Sequence, residues 1–353
     1  MLYPTGEAEG FKIKKSKIRG VESLGMLCAE DEIGIGTSHD GIIVLPNDVP
    51  AGTPARDYYQ IEDDYLLEIG LTPNRADAMS HYGVARDLAV YLQANGIPHR
   101  LVLPDVSAFR EGISDKEVAV EVLNTEAAPR YMGITVTGVK VAESPEWLQN
   151  RLRSIGLNPH NNIVDITNYV MIEYGQPMHA FDYRYVSGGK IIVRRAGDDK
   201  TLTTLDGNVR NLQPDMLVIA DETKPVGLAG IMGGENSEIV SDTVDVVFES
   251  ANFSGASIRK TALALGMRTD ASAKFEKDID PMLTVPAVNR ACELVELLGA
   301  GEVMDGMIDI INYVPAPVTL PLEPEKINAL LGTEIPEADM IEYLRREEVP
   351  VAD

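Results

Sequence analysis

Residues Asn161–Asp182 read NNIVDITNYVMIEYGQPMHAFD, and the organisation of the chain is read outward from them. Val164, Thr167, Val170, Met171 and Tyr174 recur at spacings of three, four and seven, the apolar stripe of a packed helix. Gly175 supplies a left-handed stop and Pro177 forbids further helix. The helix therefore delivers His179 from a stiff Gln-Pro-Met turn. On these residues alone His179 reads first as a satisfied structural histidine, with a placed functional imidazole as the competing reading.

The chain has 353 residues with an apolar fraction of 44%, a length that fits two or three globular domains. No run of eighteen apolar residues predicts a membrane span. The stretch MLYPTGEAEGFKIKK lacks the apolar core of a signal peptide. Cys28 and Cys292 stand far apart among apolar neighbours, as free thiols of a reducing cytoplasm do. The net charge of −24 excludes nucleic-acid binding through a diffuse positive field. Any RNA contact has to be local, and Lys12, Lys14, Lys15, Lys17 and Arg19 form one such patch. The bland alternative is the charged face of an exposed strand, since Phe11, Ile13 and Ile18 interleave.

Residues 1–50 read as β, with strands within Lys17–Cys28 and at Ile42–Leu45 but too few to close a barrel. Tyr65–Ile69 reads as a strand, and Ser80 caps a helix running to about Asn95 with Val84, Leu88, Tyr91 and Leu92 as its stripe. Residues 101–116 read as a linker. A larger domain begins near Val118. It opens with the strand Arg130–Val141 and a helix from Ser144-Pro145 whose Trp147, Leu148, Leu152 and Ile155 face inward. After the organising helix come strands at Lys190–Arg194, Lys200–Leu205 and Met216–Ala220, with an Asp206-Gly207 hairpin. The later elements are a helix at Ala256–Leu265, one at about Pro281–Leu298, a strand at Val303–Ile311, the linker Val314–Pro317, and helices at Pro324–Leu331 and Pro336–Glu347. The fold class expected is α+β, with mixed sheets and flanking helices in several domains. The chain reads as an internal piece of a longer protein.

Three stretches carry candidate chemistry. Val226–Gly234, VGLAGIMGG, lacks a Gly-Lys-Ser/Thr ending, so a phosphate loop is a weak reading; its glycines instead permit a close approach to something. In DVVFESANF at Asp245–Phe253 the period-two faces are Val246, Phe248, Ser250 and Val247, Glu249, Ala251. Glu249 is either a strand end reaching water or a carboxylate at the bottom of a small pocket. Arg268–Ser272, RTDAS, either lines a narrow site or merely connects helices. The five histidines and two cysteines show no metal-ligand spacing, and no GxSxG elbow is present, so no metal is expected.

With these motifs in view, the chain resembles the β subunits of bacterial phenylalanyl-tRNA synthetases over nearly its whole length. The resemblance rests on LTPNRADAMSHYGVARDLA at 71–89, VDITNYVMIEYGQPMHAFD at 164–182, GIMGGENSEI at 230–239, FESANF at 248–253 and RTDASAKFEKDIDP at 268–281. It implies the C-terminal part of an OB tRNA-binding-like domain at 1–50, a B1-like strand-helix segment at 51–100, a linker at 101–125, a B3/B4 editing domain at 126–316 and an incomplete helical B5 domain at 317–353. It further implies hydrolysis of tyrosine wrongly esterified to tRNA(Phe), in the cytoplasm, within an assembly whose α subunit ligates phenylalanine. ATP and magnesium are then expected only for the full enzyme. By motif, the implied catalytic residues are His179 and Thr269, and the substrate-binding ones Glu249, Ala251, Ala271, Gly230, Thr167 and Asn168. Where the family carries an arginine before the organising helix, this chain has Asn158. A non-catalytic scaffold that docks tRNA and supports the α subunit is the alternative. His179 stands either as a general base or as a positioning group.

Overall fold

The computed structural model describes residues 13–36, 38–59, 65–106, 118–304, 306–314, 316 and 318–352. Phe11 and Lys12 of the basic patch, the linker from 107 to 116, and Pro315 and Pro317 lie outside the described residues. The chain divides into two compact units, one up to Tyr65 and one from Leu66 onward.

In the first unit β1 (Ser16–Ile18) and β2 (Val21–Ser23) form an antiparallel hairpin. Its turn, Arg19-Gly20, has positive φ at both residues, the geometry that matches strand twist. Two one-turn helices follow, α1 (Glu30–Ile33) and α2 (Ala55–Tyr58). Ile42–Leu45, expected as a strand, joins no ladder; a single bond from Ile43 N to Cys28 O, 2.9 Å, marks where pairing begins and stops.

Tyr65–Ile69, also expected as a strand, spans the end of the first unit and the start of the second and forms no strand; Leu66 and Leu67 are exposed. Helix α3 (His81–Ala94) starts where the Ser80 side chain accepts from Gly83 N, 2.9 Å. Only part of its expected stripe is covered: Leu88 and Tyr91 face outward.

The main body begins with β3 (Ala119–Val122) and the long strand β4 (Arg130–Thr137). Next come α4 (Glu146–Ser154) and the organising helix α5 (Asn162–Tyr174). Leu148 and Leu152 are buried as expected, whereas Trp147 is half exposed and rests edge-on against Tyr169. Asn161 caps α5 by accepting from Ile163 N and Val164 N, and Gly175 ends it at φ 84. More than the expected stripe is buried: Ile163 and Ile166 are fully enclosed, because α5 is packed on several sides.

After α5 the chain runs through β5 (Met178–Asp182), β6 (Lys190–Arg195), the hairpin β7 (Thr201–Thr203) and β8 (Val209–Asn211), β9 (Leu217–Ala220), β10 (Pro225–Leu228), β11 (Met232–Gly233) and β12 (Val246–Asn252). Then come α6 (Gly255–Leu265), α7 (Asp270–Phe275), α8 (Thr284–Leu298), β13 (Glu302–Val303), β14 (Ile308–Ile311), α9 (Pro324–Leu331) and α10 (Glu337–Arg346). One five-stranded sheet runs β11-β10-β9-β6-β3, with β3 parallel to β6 and the remaining pairs antiparallel. A second, antiparallel sheet runs β13-β4-β12-β5, and β14 lengthens the β13 edge along β4.

The two sheets pack face to face. Tyr131, Phe181, Val247 and Ala251 of the second sheet meet Ile191, Val193, Ile219 and Val226 of the first. The reverse face of the second sheet, with Met132, Ile134, Val136, Val246 and Phe248, is covered by α5 and α8. The result is a three-layer α+β body in which β12 is buried along its whole length. Two-sided burial makes β12 the frame to which everything around it registers.

The first turn of α5 is fixed by a buried acid. Asp165 accepts from Ser144 Oγ at 2.6 Å and from His160 N at 2.8 Å, with no exposed area. Removing it strands both donors, so Asp165→Ala is expected to destabilise this unit by about 2–4 kcal/mol. Urea unfolding followed by far-UV circular dichroism measures this; a loss below about 0.5 kcal/mol contradicts the assignment.

Candidate functional site

The site grows from one rung of the second sheet. Glu249 on β12 pairs with His179 on β5 on one side and with Gly133 on β4 on the other. Cross-strand partners share a face, so the carboxyl and the imidazole project together between the sheets. His179 is therefore on a strand and not on the expected turn: Pro177 immediately precedes β5, where the missing N–H costs no ladder bond. Gly133 leaves the opposite neighbour without a side chain, which gives the carboxyl room.

The facing sheet supplies the other wall through the β10–β11 hairpin. Gly230 sits in its turn at φ 66, and a methyl there would stand 2.9 Å from both Ile258 Cδ1 and Phe275 Cδ2. Gly233 lies against the imidazole: a methyl would come within 2.4 Å of His179 Cε1. The expectation that these glycines permit a close approach is met at two places, one an aromatic cluster and one the histidine. Thr269 caps α7, accepting from Ser272 N at 3.1 Å and donating to Ile231 O at 2.9 Å. That bond fastens α7, with Ala271, to the glycine hairpin.

A cavity of about 60 Å³ remains, lined by His179, Glu249, Gly230, Gly233 and Ala271 together with Met178, Phe181, Met232 and Phe275. His179 meets Phe181 edge to face at 4.5 Å between ring centroids. A larger cleft of about 510 Å³ lies at Arg195, Asp215, Ser257 and Lys260. Its charges already answer one another: Arg195 donates to Asp215 O and Ser257 Oγ, and Lys260 pairs with Asp215. The smaller cavity has the more unusual chemistry.

That chemistry is a set of buried oxygens without partners. Among the described residues, Glu249 Oε2, Tyr131 Oη and Gln176 Oε1 are enclosed and accept or donate no hydrogen bond. Gln176 is otherwise occupied, its Nε2 donating to Ala251 O at 2.7 Å and to Pro177 O at 2.9 Å. Glu249 is only 7% exposed. Burial pushes its carboxyl up to about 7. Burial likewise pushes the His179 imidazole down to about 4, so it is neutral at pH 7. Both groups are held toward their uncharged forms, Glu249 buried and His179 half-buried at the cavity wall.

The structure gathers His179, Glu249, Gly230 and Ala271 at the cavity, with Thr269 one step behind. Ala251 lies on the same face of β12 but in the core beside Tyr131, and is fully buried. Thr167 and Asn168 do not line the cavity; they stand on α5, which covers the reverse face of the sheet, and Thr167 Oγ1 donates to Val164 O within the helix. Reading the sequence missed Tyr131 and Gly233. The doubled glycine of GIMGG was a signal for the second; nothing in RYMGITVTGVKV marks the first, since a tyrosine on a buried strand is ordinary. Away from the cavity, Asp77, Asp87 and Glu347 place carboxylate oxygens within 4.8 Å of one another. Arg75 and Arg86 already bond to them, and the cluster reads as an ion-pair network joining α3 to α10.

The raised carboxyl has a consequence for stability. Below pH 4.5 Glu249 is protonated in both folded and unfolded chains, and its contribution is fully present. As pH rises through about 7 the folded state has to hold a charge that burial disfavours, and the stability is lost. His179 acts on the acid side: its contribution is present above 6.5 and lost as pH falls through about 4. Glu249→Gln removes only the first effect. It is expected to stabilise the fold at pH 8.5 relative to the parent by about 3 kcal/mol more than it does at pH 4. Urea unfolding at the two pH values measures this, and an equal effect at both contradicts an enclosed, ionisable Glu249.

Residues 127–300 match the family model of the B3/4 domain. Over 345 residues the chain is 48% identical to the phenylalanine–tRNA ligase beta subunit of Bacteroides fragilis, covering 98% of this chain and 42% of the relative. It is also 48% identical over 337 residues to that of Porphyromonas gingivalis, covering 95% and 41%. A crystal structure of an N-terminal fragment of the phenylalanyl-tRNA synthetase beta subunit from Pyrococcus horikoshii superposes with a TM-score of 0.35 at 16% identity, over 79% of this chain and 76% of that one, too loosely to carry an argument. The chain spans about two fifths of the length of the curated relatives it matches. With a B3/4 domain at its centre and this similarity along nearly all of its length, the chain belongs to the family of phenylalanine–tRNA ligase beta subunits.

Proposed function

We propose that this chain edits: it hydrolyses tyrosine wrongly esterified to tRNA(Phe), as part of a cytoplasmic assembly whose alpha subunit ligates phenylalanine using ATP and magnesium. The observation that carries the reading is the buried carboxyl of Glu249, which borders, beside His179, a cavity walled by Gly230 and Ala271. A mainly apolar synthetic pocket rejects an added hydroxyl only about 10²-fold. A second site that requires the hydroxyl reverses the discrimination. The phenol of tyrosine donates to Glu249, which accepts whether or not it carries a proton. A phenylalanine ring leaves the carboxyl's cavity-side oxygen desolvated and unanswered, at a cost of about 1–3 kcal/mol, and more once it is charged.

Hydrolysis then requires water at the ester carbonyl carbon. The new C–O bond forms as the bond to the ribose oxygen breaks, the proton passes to that oxygen, and tyrosine and free tRNA leave. An imidazole held neutral with a pKa of about 4 is a weak base at pH 7. His179 therefore orients the water or the amino group, and positioning is worth several kcal/mol for a reactive ester. Thr269 and Ala271 hold the wall against which the ester lies. Met178 and Met232, unbranched and partly exposed, give the narrow cavity a means of widening for the ring.

One feature favours a docking role beside or instead of hydrolysis. The hairpin of β1 and β2 exposes Lys14, Lys15, Lys17 and Arg19, a local cationic patch on an acidic chain. A pure docking scaffold needs no enclosed carboxyl.

Deacylation of tyrosyl- and phenylalanyl-tRNA(Phe) by the chain assembled with its alpha subunit tests the reading. The parent is expected to clear the tyrosyl ester much the faster. Glu249→Ala is expected to lose about ten- to a hundredfold on the tyrosyl ester with little change on the phenylalanyl one. His179→Ala is expected to lower the rate on both, with a pH profile that lacks the parent's fall near pH 4. A Glu249→Ala protein that clears tyrosine as well as the parent leaves the docking role in its place.

A further inference from the structure

Tyr131 belongs to none of the roles assigned above, yet its placement is specific. It pairs across β4 and β12 with Ala251, two residues along the same face from Glu249. Its ring leans over the empty position opposite the acid: a methyl on Gly133, the partner of Glu249, would stand 3.8 Å from Tyr131 Cε1. Tyr131 has no exposed area, and its hydroxyl is unpartnered, as is Glu249 Oε2. Tyr131 does not line the cavity, whereas Glu249 does. The acid thus borders the cavity on one side and has the phenol among its buried neighbours on the other. The two are close enough for a hydroxyl–carboxyl interaction that raises Tyr131 and lowers Glu249, although neither Tyr131 Oη nor Glu249 Oε2 has a hydrogen bond of full geometry.

We propose that Tyr131 is a positioning residue for Glu249, its hydroxyl donating to the buried Oε2 so that the other carboxyl oxygen is left to receive a ligand hydroxyl. This rests on the hydroxyl-reading role proposed for the site. A buried hydroxyl and a buried carboxyl oxygen that both lack partners are each costly, and a bond between them answers both. Seating a ligand hydroxyl on the cavity side favours that bond. The titratable groups facing Glu249 in this arrangement are His179 from β5 and Tyr131 from β4. With His179 neutral, Tyr131 is the donor that favours the carboxylate.

The test uses non-hydrolysable 3′-amide analogues of tyrosyl- and phenylalanyl-adenosine, with calorimetric affinities for the parent and Tyr131→Phe, and a ¹³C carboxyl titration assigned through Glu249→Gln. Tyr131→Phe is expected to weaken the tyrosyl analogue about five- to tenfold, to leave the phenylalanyl analogue unchanged, and to raise the Glu249 midpoint above the parent's. Retention of the full tyrosyl preference, or equal loss on both analogues with an unmoved midpoint, overturns the proposal while the hydroxyl-reading role stands. A parent without any tyrosyl preference overturns that role first. Should Tyr131→Phe fold poorly, replacement of tyrosine by 3-fluorotyrosine keeps the shape and strengthens the donor. It is expected to lower the Glu249 midpoint, and an unmoved midpoint there also overturns the proposal.

Discussion

A carboxyl enclosed between two sheets loses the water that would stabilise its charge, and without a partner it loses the hydrogen bonds as well. Glu249 is in this position, and the surrounding architecture accounts for how it is held there. β12 is covered on both faces, by the second sheet's partner layer on one side and by α5 and α8 on the other. Period-two alternation then leaves the acid no choice of face: with Phe248 committed to the helical layer, Glu249 points between the sheets. The strand is too well packed to shift register, because a slip of one residue would put Phe248 and Val246 where the acid is. The acid is a local cost that the large apolar interfaces on either side absorb.

The same constraint explains the groups that accompany it. A glycine opposite the acid, a glycine against the imidazole and a glycine turn packed on Phe253, Phe275 and Ile258 all remove side chains where the layers come closest. Thr269 secures the end of α7 to the hairpin carrying these glycines. None of these features strengthens the core; each holds open or borders a narrow space beside Glu249 and His179. A scaffold with no ligand at this place would be more stable with the space filled, so the proposed ligand gives the cavity a reason that folding does not.

Much of this was legible in the chain. The stop at Gly175, the alternation in DVVFESANF and the crowding of glycine in GIMGG are local signals, and local signals survive in a single sequence. The helices at 324–331 and near 337–346 and the Asp206-Gly207 hairpin were likewise readable from their ends. What was not legible depended on partners distant in sequence. His179 joined a strand because β12 lay beside it, Ile42–Leu45 joined none for want of a neighbour, and Ile163 was buried by α8, more than a hundred residues away. Tyr131 gained meaning only when its register with Ala251 placed it beside the acid. Thr167 and Asn168, expected by motif to bind the terminal ribose or amino group, stand on α5 and not among the residues that line the cavity.

On the proposed function, the cavity beside Glu249 receives a ring bearing a hydroxyl. A crystal structure of the chain with a non-hydrolysable tyrosyl-adenosine bound tests it most directly. The account predicts the ring between His179 and Ala271, its phenol oxygen within hydrogen-bonding distance of Glu249, and the acyl group against Gly230 and Thr269. A ring bound elsewhere, or Glu249 turned away from the phenol, would contradict it.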